Sequence, residues 1–232
     1  MGTCEGRKVA RREIMTITTI LCDLDGTLVD SRLDIAVAFQ HAWRTVFGGT
    51  PPSATAIAQH IGKPLADMLC ELGGLLSPPL VSAFLPAYRR TYARQDACLT
   101  QLYPGVITTL QALSTFTLGI VTTKEPRQAE IVLRRLGLSP FFQHIQGSTP
   151  DLRLKPAPDT IFAALAVLHH APAQALMVGD TPADILAGKA AGLMTCAVTY
   201  GFGRREALLQ CAPDYVIDTF GELLTLVQKS NG

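Results

Sequence analysis

The chain contains no Cys-x-x-Cys pair. Its six cysteines, Cys4, Cys22, Cys70, Cys98, Cys196 and Cys211, are scattered, and Cys22 and Cys196 lie inside apolar runs. This pattern argues against a zinc site or a disulfide frame and for buried thiols in a reducing compartment. The five histidines show no ligand spacing. His169 and His170 are adjacent, so on a helix they face different directions and suit a helix end or the surface. No apolar run reaches the ~20 residues of a membrane span. The stretch "IMTITTILC" is rich in Thr and Ile, runs directly into Asp23 and lacks a small-residue cleavage site, so it reads as a strand and not as a signal peptide. The formal net charge of +1 provides no electrostatic footprint for nucleic acid or an anionic membrane. The basic run from Arg7 to Arg12 is short and terminal, and reads as a solvated tail. Neither Gly62-Lys63 nor Gly188-Lys189 has the upstream glycine and following Ser/Thr of a phosphate-cradling P-loop. Internal repeats and low-complexity segments are also missing. A cytoplasmic monomer or homodimer is expected, with no nucleic-acid or membrane partner.

What is present is enough for a sizeable core: 232 residues, 48% hydrophobic and 17% charged. "TITTILC" (16–22), "FTLGIVTT" (116–123), "ALMVGD" (175–180), "MTCAVTY" (194–200) and "DYVID" (214–218) are short, apolar and continuous, as strands covered on both faces are. Helical patterns lie between them. "GVITTLQAL" precedes the second run and "RQAEIVLRRLGL" follows it; "APDTIFAALAVLHH" precedes the third and "PADILAGKAAGL" follows it, with Gly137 and Gly192 as stop signals. This alternation predicts an α/β fold, a doubly wound Rossmann-like parallel sheet. Residues 31–98 break the rhythm: "LDIAVAFQHAWRTVF", "SATAIAQHI", "LADMLCEL" and "PLVSAFLPAYRRTYARQ" have helical period and no strand among them. The expected organisation is a tail over 1–15, a core over 16–30 and 99–232, and an inserted all-helical cap domain over 31–98.

The most informative stretch is "ILCDLDGTLVDS" (20–31). An apolar run ends in two aspartates separated by one residue, then turns at Gly26-Thr27. Burying two carboxylates together is costly without a cation or a shared proton, so such a pair signals use. In an open parallel sheet, ligands bind beyond the carboxyl ends of the strands. The polar residues there are Asp23 and Asp25, then Thr122, Thr123 and Lys124, then Asp180 and Asp184, with Lys155 in the loop "RLKPAPD". Acids gathered with lysines suit a divalent cation bound beside an anion. Taken singly, several of these residues have plainer explanations. "DTPAD" is a good helix start, Lys155 suits an ordinary loop lysine, and Thr122 suits a strand end.

The order DxDGT, Thr-Thr-Lys, Lys-Pro, GDxxxD resembles the haloacid dehalogenase superfamily of phosphotransferases, over about residues 16 to 227. The helical insert is similar to that family's cap. The resemblance implies Asp23 as nucleophile and Asp25 as general acid and then base. It implies Mg²⁺ held by Asp23, the Asp25 carbonyl and Asp180, with Asp184 as a ligand or a partner of bound waters. Leu24, Gly26, Thr122, Thr123, Lys124 and Lys155 are the implied phosphate-binding residues. Asp25 argues against a dehalogenase, because a halide leaves without a proton and an alkoxide does not. The expected function is therefore Mg²⁺-dependent hydrolysis of a small anionic phosphate ester through an aspartyl phosphate. "VTYGFG" and "PDYVID" look most like the phosphoglycolate phosphatases. Pyrophosphatase, sugar-phosphate phosphatase and β-phosphoglucomutase are alternatives in the same family; a receiver-like phosphorylation switch or an inactive binding module belongs to another class. Lys63, in "HIGKPLADML", is a candidate for substrate specificity or a surface lysine, and Arg32 and His41 are weaker candidates.

Overall fold

The computed structural model describes residues 16–230, so Cys4 and the terminal basic run lie outside the described residues. In chain order the elements are β1 (Thr19–Cys22), β2 (Val29–Asp30), α1 (Arg32–Val46), α2 (Ala54–Ala58), α3 (Leu65–Gly73), α4 (Pro78–Gln95), β3 (Gln101–Leu102), α5 (Val106–Ala112), β4 (Thr117–Val121), α6 (Pro126–Arg135), β5 (His144–Gln146), α7 (Asp159–Leu168), β6 (Ala175–Gly179), α8 (Pro182–Ala190), β7 (Met194–Val198), α9 (Arg205–Gln210), β8 (Tyr215–Ile217) and α10 (Glu222–Ser230). Six strands form one sheet in the order β5-β4-β1-β6-β7-β8. Every pairing in it is parallel, with β1 between β4 and β6.

Alternation along the strands explains why the runs are apolar throughout. Ile20 and Cys22 of β1 pack in one cluster with Val106 and Leu110 of α5, Val132 and Leu133 of α6, and Leu223 and Val227 of α10. Leu21 turns the other way and packs with Ile161 and Leu165 of α7 and Ala187 of α8. On that same face Ala197 of β7 meets Leu208 of α9. A strand covered on both sides needs an apolar residue at every position. The α/β class and the doubly wound arrangement expected from the sequence are therefore present.

Two features differ from the sequence reading. A sixth strand, β5, closes the sheet beside β4 through Gly119↔His144 and Val121↔Gln146. An edge strand of two half-buried residues and the buried Gln146 carries no apolar run to announce it. The expected buried thiols hold for Cys22 and Cys196, but Cys70 and Cys98 are exposed. Cys70 follows the buried Met68 and Leu69 and lies on the outer side of α3, and Cys98 lies in the turn after α4.

Helices α1 to α4 occupy the insert. α1 and α4 pack through aromatic rings, with Phe39 against Phe84 at 4.8 Å, and Tyr88 stacks on Tyr92 one turn along α4 at 5.8 Å. The insert's two ends are held together. β2 pairs antiparallel with β3, Val29 opposite Leu102. Buried Asp34 at the start of α1 accepts from Leu99 N at 3.0 Å and Thr100 Oγ1 at 2.6 Å just after α4. No helix of the described residues is long and apolar enough to cross a membrane.

Candidate active site

Strand β1 delivers Asp23 at its carboxyl end, and Asp23 N–H donates to Val178 O at 2.9 Å, so the backbone there remains tied to the sheet. The chain then folds over itself: Gly26 N–H donates to Val29 O at 2.8 Å, and Gly26 has φ +96°. A Cβ at Gly26 would come within 2.2 Å of Asp180 Oδ2, so only glycine lets this turn approach the next strand end. Strand β4 ends at Val121 and delivers Thr122, Thr123 and Lys124. Strand β6 ends at Gly179 and delivers Asp180, after which α8 begins.

Three carboxylates meet at this point. Asp23, Asp180 and Asp184 each offer an oxygen within 4.8 Å of the others, and all three are buried. Lys155, also buried, reaches in from the loop before α7. Its ammonium donates to Asp23 Oδ1 at 2.7 Å, Asp184 Oδ1 at 2.5 Å and Val121 O at 2.7 Å. Asp184's other oxygen accepts from Thr181 N at 2.9 Å and Thr181 Oγ1 at 2.6 Å, closing a capping box on α8. Asp184 is thus both the third-position partner of the N-cap Thr181 and the residue that seats Lys155. Asp180 accepts from Thr27 Oγ1 at 3.1 Å and from Phe202 N at 2.7 Å. Tyr200 completes this wall, its hydroxyl donating to Thr27 O at 2.7 Å. "VTYGFG" is the segment that closes over Asp180.

The electrostatics follow from burial. Removal from water pushes the Asp23 carboxyl up to about 7, against the opposing pull of Lys155. Burial also raises Asp180 well above the usual carboxylate range, and the neighbouring Asp23 and Asp184 raise it further. Burial alone would lower the Lys155 ammonium; Asp184 and Asp23 outweigh it and hold the group above its ordinary value. One lysine beside three acids leaves the cluster short of positive charge. An all-oxygen, buried, anionic set fits a hard divalent cation, which Mg²⁺ exemplifies by binding through one or two carboxylates and retaining waters.

Asp25 belongs to a second group beside the first. Lys124 Nζ lies 2.9 Å from Asp25 Oδ2, and Ser31 Oγ donates to Asp25 Oδ1 at 2.5 Å. The same ammonium sits 4.4 Å from the centre of the Tyr92 ring on α4. Burial would lower Lys124, but Asp25, Tyr92 and Tyr88 together outweigh burial and hold the ammonium above its ordinary value. Thr122 is buried, and its Oγ1 accepts from Lys124 N at 3.2 Å. Thr123 Oγ1 donates to Gly62 O at 3.3 Å, joining the strand end to the insert. Arg89 of α4 adds a 3.2 Å ion pair to Glu125.

Not every candidate converges here. Gly26 N–H is committed to Val29 O within the turn, so its contribution is the turn and not a donor to an anion. Leu24 lies between Asp23 and Asp25 with its side chain fully buried, and its carbonyl accepts three turn hydrogen bonds, from Thr27, Leu28 and Val29, so its backbone N–H is the group it can turn to the site. Arg32 is held at Asp30 by a 2.9 Å hydrogen bond from Nε and a 2.5 Å contact from Nη2, and does not reach the carboxylates. His41 lies farther along α1, where Nδ1 pairs with Thr91 Oγ1 of α4 at 3.1 Å. Lys63 pairs with Glu71 at 2.5 Å on the insert surface and lines two cavities. The smaller, about 210 Å³, is lined by Asp25, Lys63, Arg89, Lys124 and Gln128. The larger, about 850 Å³, is lined by Lys155, Arg153, Thr181, Phe202 and Arg204. The loop 61–64 forms a wall of both. The sequence reading assigns no site role to Ser31, Thr27, Tyr92 or Gln128. The Thr of DxDGT is a visible signal for Thr27 and "DS" at 30–31 for Ser31; Tyr92 and Gln128 carry none.

Comparison with known proteins fits this geometry. Residues 20–198 match the family model of the haloacid dehalogenase-like hydrolases. The chain is 36% identical over 214 residues to pyrophosphatase PpaX of Bacillus pumilus, covering 91% of this chain and 97% of that protein. It is 35% identical over 225 residues to phosphoglycolate phosphatase of Vibrio cholerae, covering 93% and 99%. A haloacid dehalogenase-like family hydrolase from Streptococcus pneumoniae superposes with a TM-score of 0.81 at 35% identity, covering 90% of this chain and 98% of that one. The chain belongs to the haloacid dehalogenase-like hydrolases.

Proposed function

We propose that the protein is a Mg²⁺-dependent phosphatase of small anionic phosphate esters, acting through an aspartyl phosphate on Asp23, with helices 31–98 as its cap. The observation that carries this reading is the convergence of Asp23, Asp180, Asp184 and Lys155 in one buried cluster, with Asp25 alongside on a cavity. Asp23 and Asp180, with the Asp25 carbonyl, would hold the metal; the oxygens of Asp184 are occupied by Lys155 and Thr181. When bound, Mg²⁺ supplies positive charge that offsets the repulsion between carboxylate and phosphate.

This chain's own residues account for the proton and bond changes. An Asp23 oxygen attacks phosphorus as the bond to the leaving oxygen breaks, and that oxygen takes a proton from Asp25. Asp25 then removes a proton from water, whose oxygen attacks phosphorus and breaks the bond to Asp23. Phosphate leaves and both carboxyl groups are restored. Lys124 and Ser31 fix both Asp25 oxygens, which orients the group for each transfer. Lys155, Thr122 and Lys124 are the phosphate-facing donors in this scheme. Closure of the insert excludes bulk water.

Phosphoglycolate and pyrophosphate are the leading substrates, in keeping with the names of the relatives above. Unpaired thiols at Cys22 and Cys196 suit a reducing cytoplasm. The test is phosphate release with Mg²⁺ from phosphoglycolate, pyrophosphate, sugar phosphates, nucleotides and p-nitrophenyl phosphate, run beside Asp23→Asn. Turnover of a small ester that vanishes in the variant is expected. Full activity in Asp23→Asn would remove the nucleophile assignment.

A further inference from the structure

The cavity beside Asp25 contains a polar group that the reaction scheme leaves unused. Gln128, in the first turn of α6, lines this cavity and is 6% exposed. Its Nε2 is fully buried and has no hydrogen-bond partner among the described residues. A buried amide donor without an acceptor is costly, and native proteins rarely keep one. The group is therefore placed for an acceptor that the chain does not provide. Lys63, Arg89, Lys124 and Ser148 line the same cavity together with the carboxylates of Asp25 and Glu125, and apolar side chains of the insert lie between them. Each of the three cations keeps a carboxylate partner, Glu71, Glu125 and Asp25 respectively, so the donor on this wall that lacks an acceptor is the Gln128 amide, which suits an oxyanion.

The cavity also limits the size of that anion. Its volume is about 210 Å³. That is below the ~300–1,000 Å³ typical of drug-sized ligands. Of the four clustered carboxylates Asp25 alone lines it. Given the phosphatase reading, on which this step rests, the leaving group occupies this cavity, because Asp25 must reach the leaving oxygen. We infer that Gln128 is a specificity-determining residue whose side-chain amide donates to an oxyanion on a compact leaving group, so that the preferred substrates carry a second carboxylate or phosphate within a few atoms of the transferred phosphoryl group.

The test compares wild type, Gln128→Leu and Asp23→Asn on phosphoglycolate, pyrophosphate and methyl phosphate with Mg²⁺. Methyl phosphate has no second oxyanion. In Gln128→Leu the ratio of kcat/KM on the better oxyanion substrate to that on methyl phosphate falls about ten- to hundredfold, the range for a lost hydrogen bond to a charged group. Phosphoglycolate and pyrophosphate separate a carboxylate from a phosphate as the group read. The melting temperature of the ligand-free variant stays equal to wild type or rises, because an unpaired buried donor has been removed. An unchanged ratio overturns the assignment, and so does a fall in melting temperature with equal losses on all three substrates, which marks a structural residue. Those results, alongside an active wild type and an inactive Asp23→Asn, overturn Gln128 alone. Absence of turnover in wild type on all three substrates overturns the phosphatase reading and this inference together.

Discussion

Replacement of Lys155 by methionine gives the sharpest test of the electrostatic account. Methionine keeps the unbranched stem of the side chain, one heavy atom shorter, and removes its charge. Lys155 is buried, and its ammonium serves Asp23, Asp184 and the Val121 carbonyl. Removing one partner of a buried ion pair costs about 3–5 kcal/mol, because the remaining charge is stranded. For a domain of this size that corresponds to a fall in melting temperature of roughly 6–20 °C. The pH dependence has a definite sign. Folded Asp23 titrates near 7, above its ordinary 3.8, so between about pH 4 and 7 the folded state binds the extra proton. Stability therefore falls as pH rises through that window. Without Lys155, which pulls Asp23 down, Asp23 holds its proton to higher pH and the fall continues further. The deficit relative to wild type is smallest at pH 5 and largest at pH 8. Urea denaturation at both pH values measures it, and Lys155→Met/Asp184→Asn should recover part of the loss. A deficit under about 1 kcal/mol, or one equal at the two pH values, would refute the reasoning.

Three further outcomes follow from the same geometry. Gly26→Ala forces a Cβ into the Asp180 carboxylate at a backbone φ of +96°, so we expect a loss of about 1–3 kcal/mol and a weakened thermal shift on adding Mg²⁺; an unaltered Mg²⁺ response would count against Asp180 as a ligand. Mg²⁺ competes with protons for the raised carboxyls of Asp23 and Asp180, so its stabilising shift in scanning fluorimetry should be larger at pH 8 than at pH 5; a reversed order would remove the metal from these residues. Asp25→Asn should slow hydrolysis of alkyl phosphates far more than of p-nitrophenyl phosphate, whose leaving group needs little protonation; equal losses would take the acid role from Asp25.

The parts of the molecule legible in the sequence are those where one segment is sufficient. Continuous apolar runs ending in Asp, Thr or Lys marked β1, β4 and β6 and their site residues, because burial on both faces and an abrupt polar end are local properties. β5 was not legible: "HIQ" pairs with β4 through backbone groups that any sequence supplies. Contacts between distant segments were hidden for the same reason. Tyr92 meets Lys124 only because α4 returns over the strand end, and Gln128 looks like any polar residue in a first helical turn. Arg32 and His41 follow the first motif closely, yet nearer partners hold them. For Asp184 the helix-cap and site readings were set against each other, and the structure satisfies both through different oxygens.

The antiparallel pair β2–β3 also bears on how the chain folds. The first central pairing of the sheet joins Thr19 to Thr117, about a hundred residues apart along the chain. Once Val29 sits opposite Leu102, the path between those partners shortens to about twenty-five residues. By the logarithmic cost of loop closure this saves roughly 1.2 kcal/mol of chain entropy. The insert can thus complete its own local helical contacts and zip its two ends before the parallel sheet assembles, so that a topology with distant partners forms with the contact order of a much shorter chain.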